Sequence, residues 1–170
     1  MGKLIDAFWK ICLFKLAPQD LPGSSFLMMA SAGAYCVASM LGNLMVLSPG
    51  AAAVAAVLEV ALVGAMTQLL LWIKELGARF QQTFTALMGS GAIVFIMALP
   101  ISFVQMQMGD QGAVLPSVMI LVLIFWHLSV VGHILRHAMS APFFVGVLLA
   151  VIYMYVSISV IQSLFVTQAN

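Results

Sequence analysis

Five long apolar stretches constrain this chain more than any other feature. They run near residues 25–47, 51–73, 83–104, 114–135 and 141–166. Each has the roughly 20 residues that an α-helix needs to cross the hydrocarbon core of a bilayer. Inside that core every backbone N–H and C=O must find a partner within the protein, and a lone stretch does this only as a helix. Composition excludes the alternative of a soluble bundle. Charged residues make up 6% of the 170, against roughly 25% in an ordinary soluble domain. The expected fold is therefore all-α: a polytopic membrane protein with five transmembrane helices.

The connections are short. Leu47 to Gly50 reads as a tight turn, 74–82 and 105–113 as small polar loops, and 137–140 as a tighter one. None has room for an extramembrane domain, so any function sits in or against the membrane. The organisation that follows is an amphipathic helix over 1–17, an elbow over 18–24, a single five-helix domain over 25–166 and a short tail over 167–170.

Charge placement orients the bundle. Lys3, Lys10 and Lys15 precede the first span, Lys74 and Arg79 lie between the second and third, and Arg136 lies between the fourth and fifth. All six basic residues thus fall on one side. Positively charged loops stay in the cytoplasm, which predicts a cytoplasmic N-terminus and an outside C-terminus. Asp110 falls on the outer side, where an acid carries little weight. A net charge of +1 with no basic run excludes a nucleic-acid footprint. Cys12 and Cys36 do not make a disulfide framework. The first apolar stretch is broken by Asp6, Lys10 and Lys15, so it does not read as a cleavable signal peptide.

In the first sixteen residues Lys3, Asp6 and Lys10 recur at helical spacing, while Leu4, Ile5, Phe8, Trp9, Ile11, Cys12 and Phe14 cover the remaining surface. This is too short and too charged to span. It predicts an amphipathic helix in the membrane interface, with Lys3, Trp9, Lys10 and Lys15 near the headgroups. Arg79 and Arg136 are expected as further interfacial anchors. The segment L-A-P-Q-D-L-P-G-S-S then ends that helix. Pro18 and Pro22 cannot continue a helix interior, Gly23 allows a sharp change of direction, and Ser24 or Ser25 can cap the first span.

Few residues can carry chemistry. Glu59, in A-V-L-E-V-A-L-V, lies about nine residues into the second span, or ~13 Å at ~1.5 Å per residue. An acid at that depth faces a protein interior or a wet cavity. It is a candidate proton or cation site, or a structural acid bonded to another helix. His127, near the middle of the fourth span, is its candidate partner through tilt or a water, or else an imidazole bonded to a neighbouring backbone or hydroxyl group, the reading favoured by a lone histidine. His133 and His137 are four apart on one helix face, a spacing that suits metal ligation but supplies only half a site. Tyr35, Asn43 and Gln68 read as interhelical hydrogen-bonding groups. The alanine block 51–56, with Ala61, Gly64 and Ala65, reads as a close-packing face. No P-loop, G-x-S-x-G, dinucleotide fingerprint or paired intramembrane acid is present. No enzymatic activity, cofactor or metal is expected.

The layout resembles the Yip family of Rab-GTPase-interacting membrane proteins. That family has a cytoplasmic N-terminal segment, five spans and an outside C-terminus. Its Asp-Leu-Tyr-Gly-Pro hallmark before the first span falls here on Asp20-Leu21-Pro22-Gly23-Ser24, with Asp20, Leu21 and Gly23 in agreement. A second hallmark opening the third span falls on Leu87-Met88-Gly89-Ser90, where Gly89 agrees. The long hydrophilic N-terminus of eukaryotic members is missing, which fits a relative in the cytoplasmic (inner) membrane of a bacterium. The resemblance implies a non-enzymatic membrane scaffold or accessory subunit that binds other membrane proteins, a second copy of itself, or lipids. The residues alone leave a second reading: a small transporter or channel subunit with Glu59, and with it His127, in a proton or cation pathway.

Overall fold

The protein is described here by a computed structural model covering residues 2–166. The Lys3 and Asp110 side chains and the 167–170 tail lie outside the described residues. Six α-helices follow in order: α1 Gly2–Cys12, α2 Ser25–Asn43, α3 Pro49–Ile73, α4 Phe80–Gly112, α5 Val114–Met139 and α6 Phe143–Ile161. There is no strand among the described residues. Helices α2 to α6 are long and apolar enough to cross a membrane, the last by continuing through a π-type turn at Gln162–Val166. They are the five expected spans, and α1 is the expected short amphipathic helix.

The exterior is as apolar as the interior. Many of the largest apolar side chains point outward, among them Phe26, Trp72, Phe125, Phe144 and Tyr155. Beside an apolar core that includes Leu71, Met88, Ile134 and Leu135, buried positions also include Ser31, Ser39, Thr67, Thr83, Thr85 and Ser90. Lipid tails are as apolar as leucine, so helices gain little from hiding leucine and more from close backbone approach. The midsection of α4 shows the device best. Residues 83–92 are all buried or nearly so. Their hydroxyls are satisfied within the helix itself: Thr83 donates to the Arg79 carbonyl at 2.8 Å, Thr85 to Gln81 at 2.6 Å and Ser90 to Ala86 at 2.7 Å. This lets α4 pack on α1, α2, α3 and α5 at once.

Small residues set the crossings. A Cβ at Gly146 of α6 would overlap the Gly132 carbonyl of α5, and one at Gly132 would meet the Val147 backbone at 3.0 Å. Ala52, Ala55 and Ala56 in the alanine block are fully buried, whereas Ala61 and Ala65 face outward.

Helix α1 is docked on protein by its apolar side. Phe8, Ile11 and Cys12 are buried against the bundle, and the Phe8 ring occupies the space where a Cβ of Gly89 would lie. The exposed side carries Asp6 and Lys10, paired at 2.7 Å. Trp126 of α5 donates to the Cys12 carbonyl at 3.0 Å, and a His133 ring nitrogen lies 3.0 Å from the Leu16 carbonyl. Those two α5 residues are seven apart, so residues 12–16 travel ~10 Å along the bundle between them.

The elbow of residues 18–24 joins α1 to α2. Pro18–Asp20 form one 3-10 turn, with the Asp20 carboxylate accepting from Ala17 N–H at 2.9 Å. Leu21 is buried, and Gln82 donates to its carbonyl at 2.8 Å. Ser24, rather than Ser25, caps α2 through Leu27 N–H.

Two connections differ from expectation. The polar loop expected over 105–113 is helical, and α4 runs to Gly112 with only Ala113 before α5. Met and Gln are good helix formers, and Gln105 donates across the corner to Ser117 at 3.0 Å. The turn expected at 137–140 is also mostly helix: α5 continues to Met139, and the reversal falls on Ser140, which adopts a left-handed conformation at φ 53°. We call the end of the bundle that carries the elbow the elbow end, and its opposite the far end.

Candidate functional site

Glu59 sits on α3 with both carboxylate oxygens engaged by α2. Ser39 donates to Oε2, and Asn43 donates to Oε1 at 3.4 Å and to Ser39 Oγ at 3.3 Å. Ser39 and Asn43 are one helical turn apart, so they face the acid together. Among the described residues no cation pairs with Glu59.

His127 does not complete this triad. No hydrogen bond joins it to Glu59, and its Nδ1 is buried without a partner. In place of the possible contact, both residues line one cleft of about 360 Å³. The reason is topological. Helix α3 packs chiefly on α2, α4 and α6, while α5 packs chiefly on α1, α4 and α6, so α3 and α5 face each other across the cleft without extensive packing.

Cleft walls come from five helices and are chiefly apolar, including Val63, Met88, Phe95, Leu128, Met154 and Ile158. Its polar groups are Asn43, Glu59, Tyr35, His127, Tyr153, Ser157 and Gln162. Tyr35 is buried, with its ring edge-on to Phe95 at 5.3 Å between centroids. Gly91 makes room for it, since a Cβ there would lie 2.7 Å from the Tyr35 ring. Toward the elbow end Tyr153 of α6 donates to Thr67 of α3 at 3.0 Å, in a buried bond that ties those helices together. Thr67 lies eight residues from Glu59, ~12 Å along α3. Toward the far end the cleft continues along Ser157, Ile161 and Gln162.

The remaining expected site residues gather at the elbow end. His133 and His137 face each other at 4.7 Å between ring centroids. Each is otherwise engaged: His133 contacts the Leu16 carbonyl and the Phe14 ring, and His137 Nε2 lies 3.1 Å from Arg136. No group of three His, Cys, Asp or Glu able to hold a metal exists among the described residues. Arg79 caps the end of α5, donating through Nη1 to the carbonyls of His137 at 3.3 Å and Ala138 at 3.0 Å and to Ser140 Oγ at 3.0 Å. Lys10, Lys15 and Trp9 are exposed on or beside α1, with Trp9 edge-on to Trp126 at 6.1 Å. Of the hallmark residues, Asp20 closes the elbow turn, Leu21 anchors it, Gly23 lies beside Gln81 and Gly89 receives Phe8.

Sequence reasoning missed Ser39. A partial signal was present: α2 and α3 form an antiparallel hairpin joined by the short segment 44–48, so residues within a few turns of that segment on the two helices face each other.

Fold and site together define a multi-pass α-helical protein of a lipid bilayer, with a carboxyl-bearing cleft inside the bundle. Comparison with family models, curated proteins and solved structures found no match to this chain.

Proposed function

We propose that this protein is a non-enzymatic accessory protein that holds an amphiphilic, lipid-like ligand in its intramembrane cleft. The observation that carries this reading is the cleft itself. At about 360 Å³ it falls in the range of small-molecule sites, and like them it is mostly apolar with a few convergent polar groups. Glu59 has two donors from α2 and no cation among the described residues. A ligand with an amine or hydroxyl head would supply what is missing, while its tail follows the apolar wall of α6. The Yip-like marks at Asp20, Leu21, Gly23 and Gly89 agree with a membrane-organising role.

The basic residues Lys10, Lys15, Lys74, Arg79 and Arg136 all belong to the elbow end, so we assign that end to the cytoplasm and the far end to the outside. The cleft then faces the outer half of the bilayer. Localisation in the inner membrane of a bacterium, with a second copy or other membrane proteins as neighbours, belongs to the same proposal.

A proton or cation pathway is the second reading, favoured by Glu59 and His127 lining one cleft. The Thr67–Tyr153 bond and the packing around Leu71 and Met88 argue for a pocket closed toward the elbow end instead.

The test is purification in mild detergent, followed by extraction and mass spectrometry of bound amphiphiles. Wild type should retain a ligand in fixed stoichiometry. Ser157→Phe, which fills the cleft, should lose it while the protein stays folded. An empty wild type, or equal retention in both, would overturn the proposal. In proteoliposomes under a pH gradient, proton flux that Glu59→Gln abolishes would favour the pathway reading.

A further inference from the structure

A second pocket of about 420 Å³ opens at the elbow end, away from the Glu59 cleft. Its lining includes Gln19, Arg79, Arg136, His137, Ser140 and Phe143. Two guanidinium groups, 57 positions apart in sequence, are brought to one small space. Like charges this close normally share a carboxylate, yet among the described residues neither arginine has an acidic partner within ion-pair distance. Asp20, the acid of the elbow, accepts from Ala17 N–H and lies close enough to His137 to act on it electrostatically, but forms no ion pair with either arginine.

The pocket is also held in shape. Gln19 donates to the His137 carbonyl at 2.6 Å, and Arg79 spends one nitrogen on the end of α5. Arg136 lies over the Phe143 ring at 5.6 Å, and its Nε is buried with no hydrogen-bond partner. Its Nη2 lies 3.1 Å from His137 Nε2, so the guanidinium is held at the pocket wall. The first turn of α6 adds to the field. It begins at Phe143 after Pro142 with no side-chain cap, so its leading N–H groups and the positive end of its dipole border the same space.

We propose that this pocket binds a phosphate group. Guanidinium forks match phosphate geometry and form charge-assisted hydrogen bonds, and a helix N-terminus adds donors suited to an anion. The two available sources are the headgroup of an anionic phospholipid and a free phosphate. Basic pockets between transmembrane helices near the interface are suited to the former.

The test is thermal unfolding of the detergent-solubilised full chain, followed by tryptophan fluorescence at fixed ionic strength. One arm is titrated with dihexanoyl phosphatidylglycerol, a second with inorganic phosphate and a third with chloride. Saturable stabilisation by both phosphate probes supports the site with either source. Stabilisation by the lipid alone supports it with the headgroup as source, and by inorganic phosphate alone with the free anion as source. Arg136→Gln should weaken the response about tenfold or more, the scale of a lost charge-assisted contact, while Lys74→Gln, which removes an exposed cation at the same end, should leave it unchanged. Phe143→Asp provides a second variant. It places a carboxylate in the pocket at a helix position that tolerates an acid, and should abolish the response without loss of the fold. No stabilisation of wild type beyond chloride, or equal weakening by Arg136→Gln and Lys74→Gln, would overturn the proposal.

Discussion

Glu59 owes its place to two residues one turn apart on the preceding helix. Removing Ser39 leaves a carboxylate oxygen in the bundle without its hydroxyl donor, so Ser39→Ala should destabilise the protein by about 1–2 kcal/mol. Unfolding in mixed micelles checks this. Asn43→Ala, at a longer contact, should cost less. Tyr153→Phe should cost about 0.6 kcal/mol, the average for an interhelical hydrogen bond. A value near zero there would mean that Thr67 finds another partner.

Cys12 offers a check outside the spans. It is fully buried beneath α1, and burial pushes its thiol up to about 11. The unfolded chain ionises this thiol at lower pH, so the stability it contributes is fully present below the unfolded value and lost as pH rises toward about 11. In a Cys36→Ala background, Cys12 should resist maleimide at neutral pH and react once the protein is denatured. Prompt labelling of the folded protein would mean that α1 undocks.

Residue identity alone showed that Glu59 was exceptional, because an acid in an apolar span has few permitted environments. It did not show the acid's partners. Serine is unremarkable in a membrane helix, and only the geometry of the 44–48 turn gives Ser39 its meaning. For His127 the limit was complementary: depth was legible, whereas helix adjacency was not.

At the scale of elements, the five spans were legible because hydrocarbon thickness demands a fixed length of apolar helix. The ends were less so. Residues 105–112 look like a loop by polarity, but glutamine and methionine favour helix and a span can project beyond the bilayer. The amphipathic pattern of 2–12 was plain, yet pattern alone cannot say whether its apolar side meets lipid or protein. Here the answer turns on Gly89, whose missing side chain admits Phe8. Gly89→Leu should therefore displace α1, seen as new protease sensitivity before the elbow and faster labelling of Cys12.

The α5–α6 crossing depends on glycine more heavily still. Gly146→Leu drives a side chain into the Gly132 carbonyl, and overpacking of this kind typically costs 1–3 kcal/mol or more. It should lower the unfolding temperature sharply, whereas Ala61→Leu, on an outward-facing position of α3, should not.

For the whole molecule, an odd number of spans puts the two ends of the bundle's chain on opposite faces of the membrane. The Glu59 cleft and the Arg79–Arg136 pocket likewise sit apart, one within the bundle and one at its elbow end. Under the proposals above, the two sites would engage membrane components at two levels. Such a division was invisible in the sequence, because it depends on which helices meet: α3 and α5 share little packing across the cleft, while Arg79 and the end of α5 come together. The measurement that bears most directly on the cleft is the ligand content of wild type against Ser157→Phe, purified in parallel and compared by mass spectrometry. The account predicts an amphiphile in fixed stoichiometry in wild type and its loss from a folded Ser157→Phe protein; an empty wild type, or equal content in both, would contradict it.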